Sequence, residues 1–174
     1  MSLLRRPALP DDVRAALELA RGERVLATGR LADGWAVATT HGIAVVHPGG
    51  ADAAEGAAGL RRPWTDVSTG RLDPDTETLT VEWVDGATAT VLHLADARSL
   101  AFPAAFRQCV DSSVVHAEQV TLADRTVVRV ALRRDGDGQL FTQVMGPGTV
   151  DLTDPSTAAA VDAAEARVRE AAGL

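Results

Sequence analysis

Between Glu23 and Ala95 apolar and polar residues alternate with a period of two, interrupted by turn signals and by one small, polar and glycine-rich flexible connection from His47 to Gly59. That period puts successive side chains on opposite faces of an extended chain. Val25, Ala27 and Gly29 alternate with Arg24, Leu26 and Thr28. Trp35–Thr39 and Ile43–His47 follow, separated by Thr40-His41-Gly42, which has the composition of a tight turn. Pro63–Val67 and Thr78–Trp83 come next, with Leu79, Val81 and Trp83 on one face and Thr78, Thr80 and Glu82 on the other. Asp85-Gly86 is a hairpin signal, since both residues tolerate positive φ, and Thr88–Leu94 is the return strand. Parallel pairing needs crossovers of a dozen or more residues, usually helical. Six strands with no helix-length crossover between them therefore predict an antiparallel sheet.

Helical periodicity occurs in three places. Asp11–Ala20 carries Val13, Leu17 and Ala20 at helical spacing behind two acidic residues, with Gly22 as its stop. Phe102, Phe106, Cys109, Val110, Ser113 and Ala117 share one face, which predicts a helix over about Pro103–Val114 after the sixth strand. At the C-terminus Asp154 is an N-cap, Pro155 sits at N1, and Val161, Ala164 and Val168 form a narrow stripe. Glu165 and Arg169 are spaced for an i,i+4 pair, and Gly173 ends the helix. Between the last two helices lies a second β section: a weak strand at Gln119–Leu122, then Thr126–Arg134 and Leu140–Met145. In Thr126–Arg134 the alternation predicts Val128, Val130 and Leu132 inward and Arg129 and Arg133 outward. The expectation is an α+β, mainly β fold of one domain over residues 1–174.

Composition excludes several chemistries. All 17 basic residues are arginine, so there is no lysine for a Schiff base or for a phosphate-binding loop of the GxxxxGK type. A net charge of −7 disfavours binding to nucleic acid or to an anionic membrane, which both rest on positive surface. No run approaches the ~18 apolar residues of a membrane span. The start, Met1–Pro7, lacks the apolar core of a signal peptide. Cys109 is the only cysteine, which rules out an intrachain disulfide, and the location predicted is cytoplasmic.

Residue by residue, the candidate sites reduce to structural roles. His41, His47, His93 and His116 show none of the HxH, HxxxH or HExxH spacings of a metal site, so no metal and no cofactor are predicted. Cys109 lies on the apolar helix face beside Phe106 and Val110, surroundings that raise a thiol's pKa and leave it inert. Asp135-Gly136-Asp137-Gly138 imitates part of a calcium loop but lacks the glutamate at position 12, so it is a hairpin turn, as is Asp73-Pro74-Asp75. Gly49-Gly50 and Gly56–Gly59 lead into a strand, where a phosphate loop would lead into a helix. Three arginine pairs remain: Arg5-Arg6, Arg61-Arg62 and Arg133-Arg134. Convergence of Arg61 with Arg133 or Arg134 would clamp a carboxylate or phosphate. Trp35, Trp64 and Trp83, on three different strands, suit a shared core. Trp35, Arg61 and Arg133 stand as the candidate contacts for a ligand or partner.

Residues 23–117 resemble the bacterial pleckstrin-homology-like (GRAM-like) families. The likeness rests on Gly22-Glu23-Arg24-Val25-Leu26 as first strand, Trp35–Thr39 leading to Ile43–Val46, and Arg62-Pro63-Trp64-Thr65-Asp66-Val67 after a variable loop. The 79–94 hairpin and the Pro103–Val114 helix complete it. Residues 118–174 resemble a β-meander and helix appended in uncharacterised actinobacterial proteins. The resemblance implies an antiparallel barrel or sandwich closed at one end by a helix, a scaffold used more often for binding than for catalysis. The family's phosphoinositide binders carry a basic cluster in the first hairpin loop; here Arg30-Leu31-Ala32-Asp33-Gly34 holds one arginine and one aspartate. The expected function is a non-catalytic module that binds a protein or peptide. The competing expectation is a small-ligand binder or minor enzyme with arginine and histidine in a barrel pocket. A homodimer through the C-terminal helix is the third.

Overall fold

The computed structural model describes residues 9–47, 59–96, 99–146 and 150–174. Arg5-Arg6, Gly49-Gly50 and Gly56 fall outside them. Among the described residues ten strands form three antiparallel sheets. In the first, β1 (Val25–Arg30), β2 (Trp35–Thr39), β3 (Gly42–Val46) and β4 (Arg61–Pro63) lie in sequence order. The second holds β5 (Val67–Asp73), β6 (Thr78–Trp83) and β7 (Thr90–His93); the third holds β8 (Val114–Thr121), β9 (Val127–Arg134) and β10 (Leu140–Met145). The helices are α1 (Asp11–Ala16), α2 (Ala101–Ser113) and α3 (Pro155–Ala171).

Antiparallel pairing agrees with the period-two reading throughout, but the helix follows strand seven, not strand six. The run Pro63–Val67 is not one strand. Pro63 ends β4, a 3-10 turn over Trp64–Asp66 bends the chain, and Val67 begins a seven-residue strand in the next sheet. That strand was hidden because Ser68-Thr69-Gly70-Arg71 carries no apolar residue to mark alternation. Trp64 accordingly leaves the strand and turns into the core, where its Nε1 donates to Thr39 O at 2.9 Å. Nor do the first two sheets form a closed barrel. Their free edges meet at one corner, in the isolated bridge Leu31–Leu94 flanked by bonds from Ala32 N to His93 O and from Ala95 N to Arg30 O.

The gap between these sheets is filled by α2. Phe102 and Phe106 are both buried and pack with Trp64, Trp83, Val67, Val81 and Leu92. Trp64 and Phe106 stack edge to face, with ring centroids 5.6 Å apart. Two glycines make the helix's approach possible. A Cβ on Gly29 would lie 2.9 Å from Phe102 Cγ, and one on Gly70 would lie 2.2 Å from Phe106 Cε1. Glycine inside a strand marks such close approaches. The helix stops at Ser113, and Ala117, expected on its face, belongs to β8. A smaller core on the outer face of the first sheet joins Leu9, Val13 and Leu17 around α1 to Val37, Ala44 and Val46, with Trp35 partly buried against it. The three tryptophans therefore serve two cores. The segment Asp11–Ala20 is helical only to Ala16, and Glu18 already has φ +43°.

The third sheet is the expected meander, and α3 covers one face of it through Val161, Ala164 and Val168 against Val130 and Leu132. Asp154 caps α3 as expected, its Oδ2 accepting from Thr157 N at 2.8 Å. No ion pair joins Glu165 to Arg169 among the described residues; Arg167 instead forks onto Glu118 of β8.

Candidate functional site

Arg133 was expected outward and is the largest fully buried side chain. Both faces of β9 are covered: Val128, Val130 and Leu132 on the α3 side, and Ala131 and Arg133 on the side that meets the 3-10 turn. Arg133 Nη2 donates to Trp64 O at 2.7 Å and Val67 O at 3.2 Å, and Gln143 Nε2 of β10 donates to Thr65 O at 3.1 Å. Alternation cannot distinguish one covered face from two when the second is covered by a turn from elsewhere in the chain. Burial, and then the neighbouring Arg129 charge, hold the Arg133 guanidinium below its ordinary pKa. Its Nη2 serves two main-chain carbonyls at the bend, while its buried Nε has no hydrogen-bond partner among the described residues.

The Arg61 side chain is likewise engaged. It donates to Leu17 O and to Glu23 Oε2, tying β4 to the residue that follows α1 and to the second residue before β1. The Glu23 side chain is 2% exposed. Burial pushes its carboxyl up, but hydrogen bonds from Thr39 Oγ1 (2.6 Å) and Ala20 N (2.9 Å) and the Arg61 charge outweigh this and hold it below the usual range. Trp35, Arg61 and Arg133 thus each serve a separate internal contact and build no common site. Arg62 also works internally. It pairs with Asp66 and Asp85 and lies 4.5 Å over the Trp83 ring, joining the first sheet to the second.

A groove of about 1200 Å³ lies elsewhere, running along β1 and α2. One wall is Val25, Leu26, Ala27 and Thr28. Among the described residues no strand pairs with this edge of β1 before the corner bridge at Leu31. Arg30 O accepts from Ala95 N on the side away from β2, so the two-residue alternation turns the Thr28 N–H and C=O to that same open side. A bulge between Val25 and Ala27 shifts the register, and it leaves Val25 facing Thr39 as the ladder's last pair. The other wall is the small-residue face of α2: Ala101, Ala104, Ala105, Gln108, Cys109 and Ser112. Burial pushes the Cys109 thiol up, which lowers its thiolate fraction at neutral pH.

At one end of the groove the β9–β10 hairpin approaches the β2–β3 turn. A Cβ on Gly136 would lie 2.9 Å from His41 Cα. The Asp135–Gly138 stretch is the expected hairpin turn, with Asp135 Oδ1 accepting from Asp137 N and Gln139 N and Gly138 at φ +85°. Asp73 closes its turn in the same way on Asp75 N and Thr76 N. No three histidine, cysteine, aspartate or glutamate side chains gather to hold a metal among the described residues. No helix among them is long and apolar enough to cross a membrane. The groove had one legible signal, the small residues of α2, but its other wall is main chain, which side-chain patterns do not report. Compared with family models, with curated proteins and with solved structures, the chain matches none.

Proposed function

We propose that the chain is a non-catalytic peptide-binding module of pleckstrin-homology-like architecture, taking an extended segment as an added strand on β1. The architectural part of this reading is supported by four strands, then three, then a helix laid across the gap between the two sheets. The functional part is carried by one observation: the unpaired edge of β1, with the Thr28 N–H and C=O turned outward, lines a groove whose far wall is a helix face of mostly small side chains. An added strand gains main-chain hydrogen bonds from such an edge, and its alternate side chains settle against the helix. A small ligand or a minor catalytic site inside the sheets is disfavoured, since Trp64, Trp83, Phe102 and Phe106 fill that space.

The test is selection of a random heptapeptide library on the immobilised chain, followed by titration of an enriched peptide into the 15N-labelled protein. Amides of Val25–Thr28 and of the Ala104–Ser112 face should shift, and Thr28→Pro, which deletes the outward N–H, should abolish binding while circular dichroism stays unchanged. Enriched peptides that perturb a different surface, or a library that yields none, would sink the proposal.

A further inference from the structure

Three arginines line the groove, and none has an acidic partner among the described residues: Arg14 of α1, Arg24 just before β1, and Arg134 at the end of β9. Outside the groove the guanidinium groups of Arg61, Arg62, Arg107 and Arg167 are paired with carboxylates and that of Arg133 with carbonyls, while Arg21, Arg30, Arg71, Arg125, Arg129 and Arg169 also have no acidic partner among the described residues. Arg24 and Arg134 flank one turn. The Arg24 main chain bonds Thr40 in both directions, through Thr40 N to Arg24 O (2.9 Å) and Arg24 N to Thr40 Oγ1 (3.2 Å). The next residue, His41, packs against Gly136, two positions beyond Arg134. Two groove-lining carboxylates are already engaged: Glu23 by Thr39, Ala20 and Arg61, and Asp135 by the main chain of its own turn. In a chain of net charge −7, the groove beside the open strand edge is thus lined by three arginines without an acidic partner and by two carboxylates already engaged.

Resting on the strand-addition reading, we infer that the bound peptide is acidic and that its carboxylates meet Arg24 and Arg134 where β1 begins. Arginine presents a planar fork suited to carboxylates. The groove also favours a peptide over an anionic bilayer, because the charges lie beside main-chain donors that only another strand can use, while the rest of the surface is negative on balance.

The same library selection decides this, run on the wild type, on Arg24→Gln/Arg134→Gln, and on Arg107→Gln as a control for charge outside the groove. The expected result is enrichment of Asp and Glu on the wild type and on Arg107→Gln, with the enrichment lost on the double variant. An enriched peptide should bind about two- to fivefold more weakly for each arginine removed, with the difference shrinking as salt is added. Peptides enriched without acidic bias, and bound equally by the double variant, would overturn this inference and leave strand addition standing. A library that yields no peptide overturns both. Sedimentation with phosphatidylserine vesicles that depends on Arg24 and Arg134 would overturn it in favour of a membrane surface.

Discussion

Helices α2 and α3 each cover a sheet, but by different means. The first drives two phenylalanines into the space between two sheets, against glycines in both. The second lays a stripe of two valines and an alanine on one face of a three-stranded meander. The aromatic wedge fills the space between two sheets that otherwise meet at the Leu31–Leu94 corner and through Arg62, whereas the valine stripe shields one sheet from water. Removing a side chain from each measures that difference. Phe106→Ala should cost about 3–5 kcal/mol in urea unfolding, the range for a buried aromatic truncated without collapse of its surroundings. Val168→Ala removes two methyl groups' worth of burial and should cost about 1.5–2 kcal/mol. Equal costs for the two would mean that α2 is a cover of the same kind as α3.

The same contrast separates what was legible in the sequence from what was not. Everything about α3 is local: Asp154 and Pro155 start it, three apolar residues at helical spacing set its buried face, and Gly173 with φ +79° ends it. The hairpins at Asp85-Gly86 and Asp135–Gly138 are local as well. What escaped depended on distant parts of the chain. Strand β5 is silent by alternation because Gly70 is small for the sake of Phe106, 36 residues away. Arg133 obeys the strand period but is buried by a turn 66 to 69 residues earlier in the chain. The two tests of α2's partners, Gly29 and Gly70, look like ordinary weak strand positions until the helix is placed over them. The candidate groove was hidden for the related reason that one of its walls is main chain.

Charge divides the two parts in a similar way. Near β1 the Glu23 carboxylate is buried and held by Thr39, Ala20 and Arg61. Its folded-state pKa lies below the ordinary 4.5. A lowered carboxylate contributes stability above its unfolded pKa and loses it as pH falls through the folded value. The unfolding free energy of the wild type should therefore fall as the pH drops below about 4.5. Glu23→Gln should cost about 1.5–3 kcal/mol at pH 7, the worth of hydrogen bonds to a charged group, and should flatten that acid limb. An acid limb with the same slope in the variant would show that other carboxylates carry it.

The corresponding pair in the third sheet, Glu118 with Arg167, lies at the surface, with Arg167 Nε 2.9 Å from each oxygen of the carboxylate. The Arg167 hydrogen bond holds the Glu118 carboxyl below its ordinary pKa, against a small opposing effect of desolvation. Solvent and salt screen such a pair, and holding two long side chains in one geometry costs entropy. Arg167→Ala should therefore lower the melting temperature less than any of the three substitutions above, and the difference from wild type should disappear in concentrated salt. The fork geometry is the one feature that could raise this expectation, because two parallel bonds to one carboxylate resist screening better than a single contact. A loss in high salt as large as that of Glu23→Gln would mean that the β8–α3 contact depends on its ion pair more than on Val161, Ala164 and Val168. The division between a part held by buried charge and wedged aromatics and a part held by a valine stripe would then no longer stand.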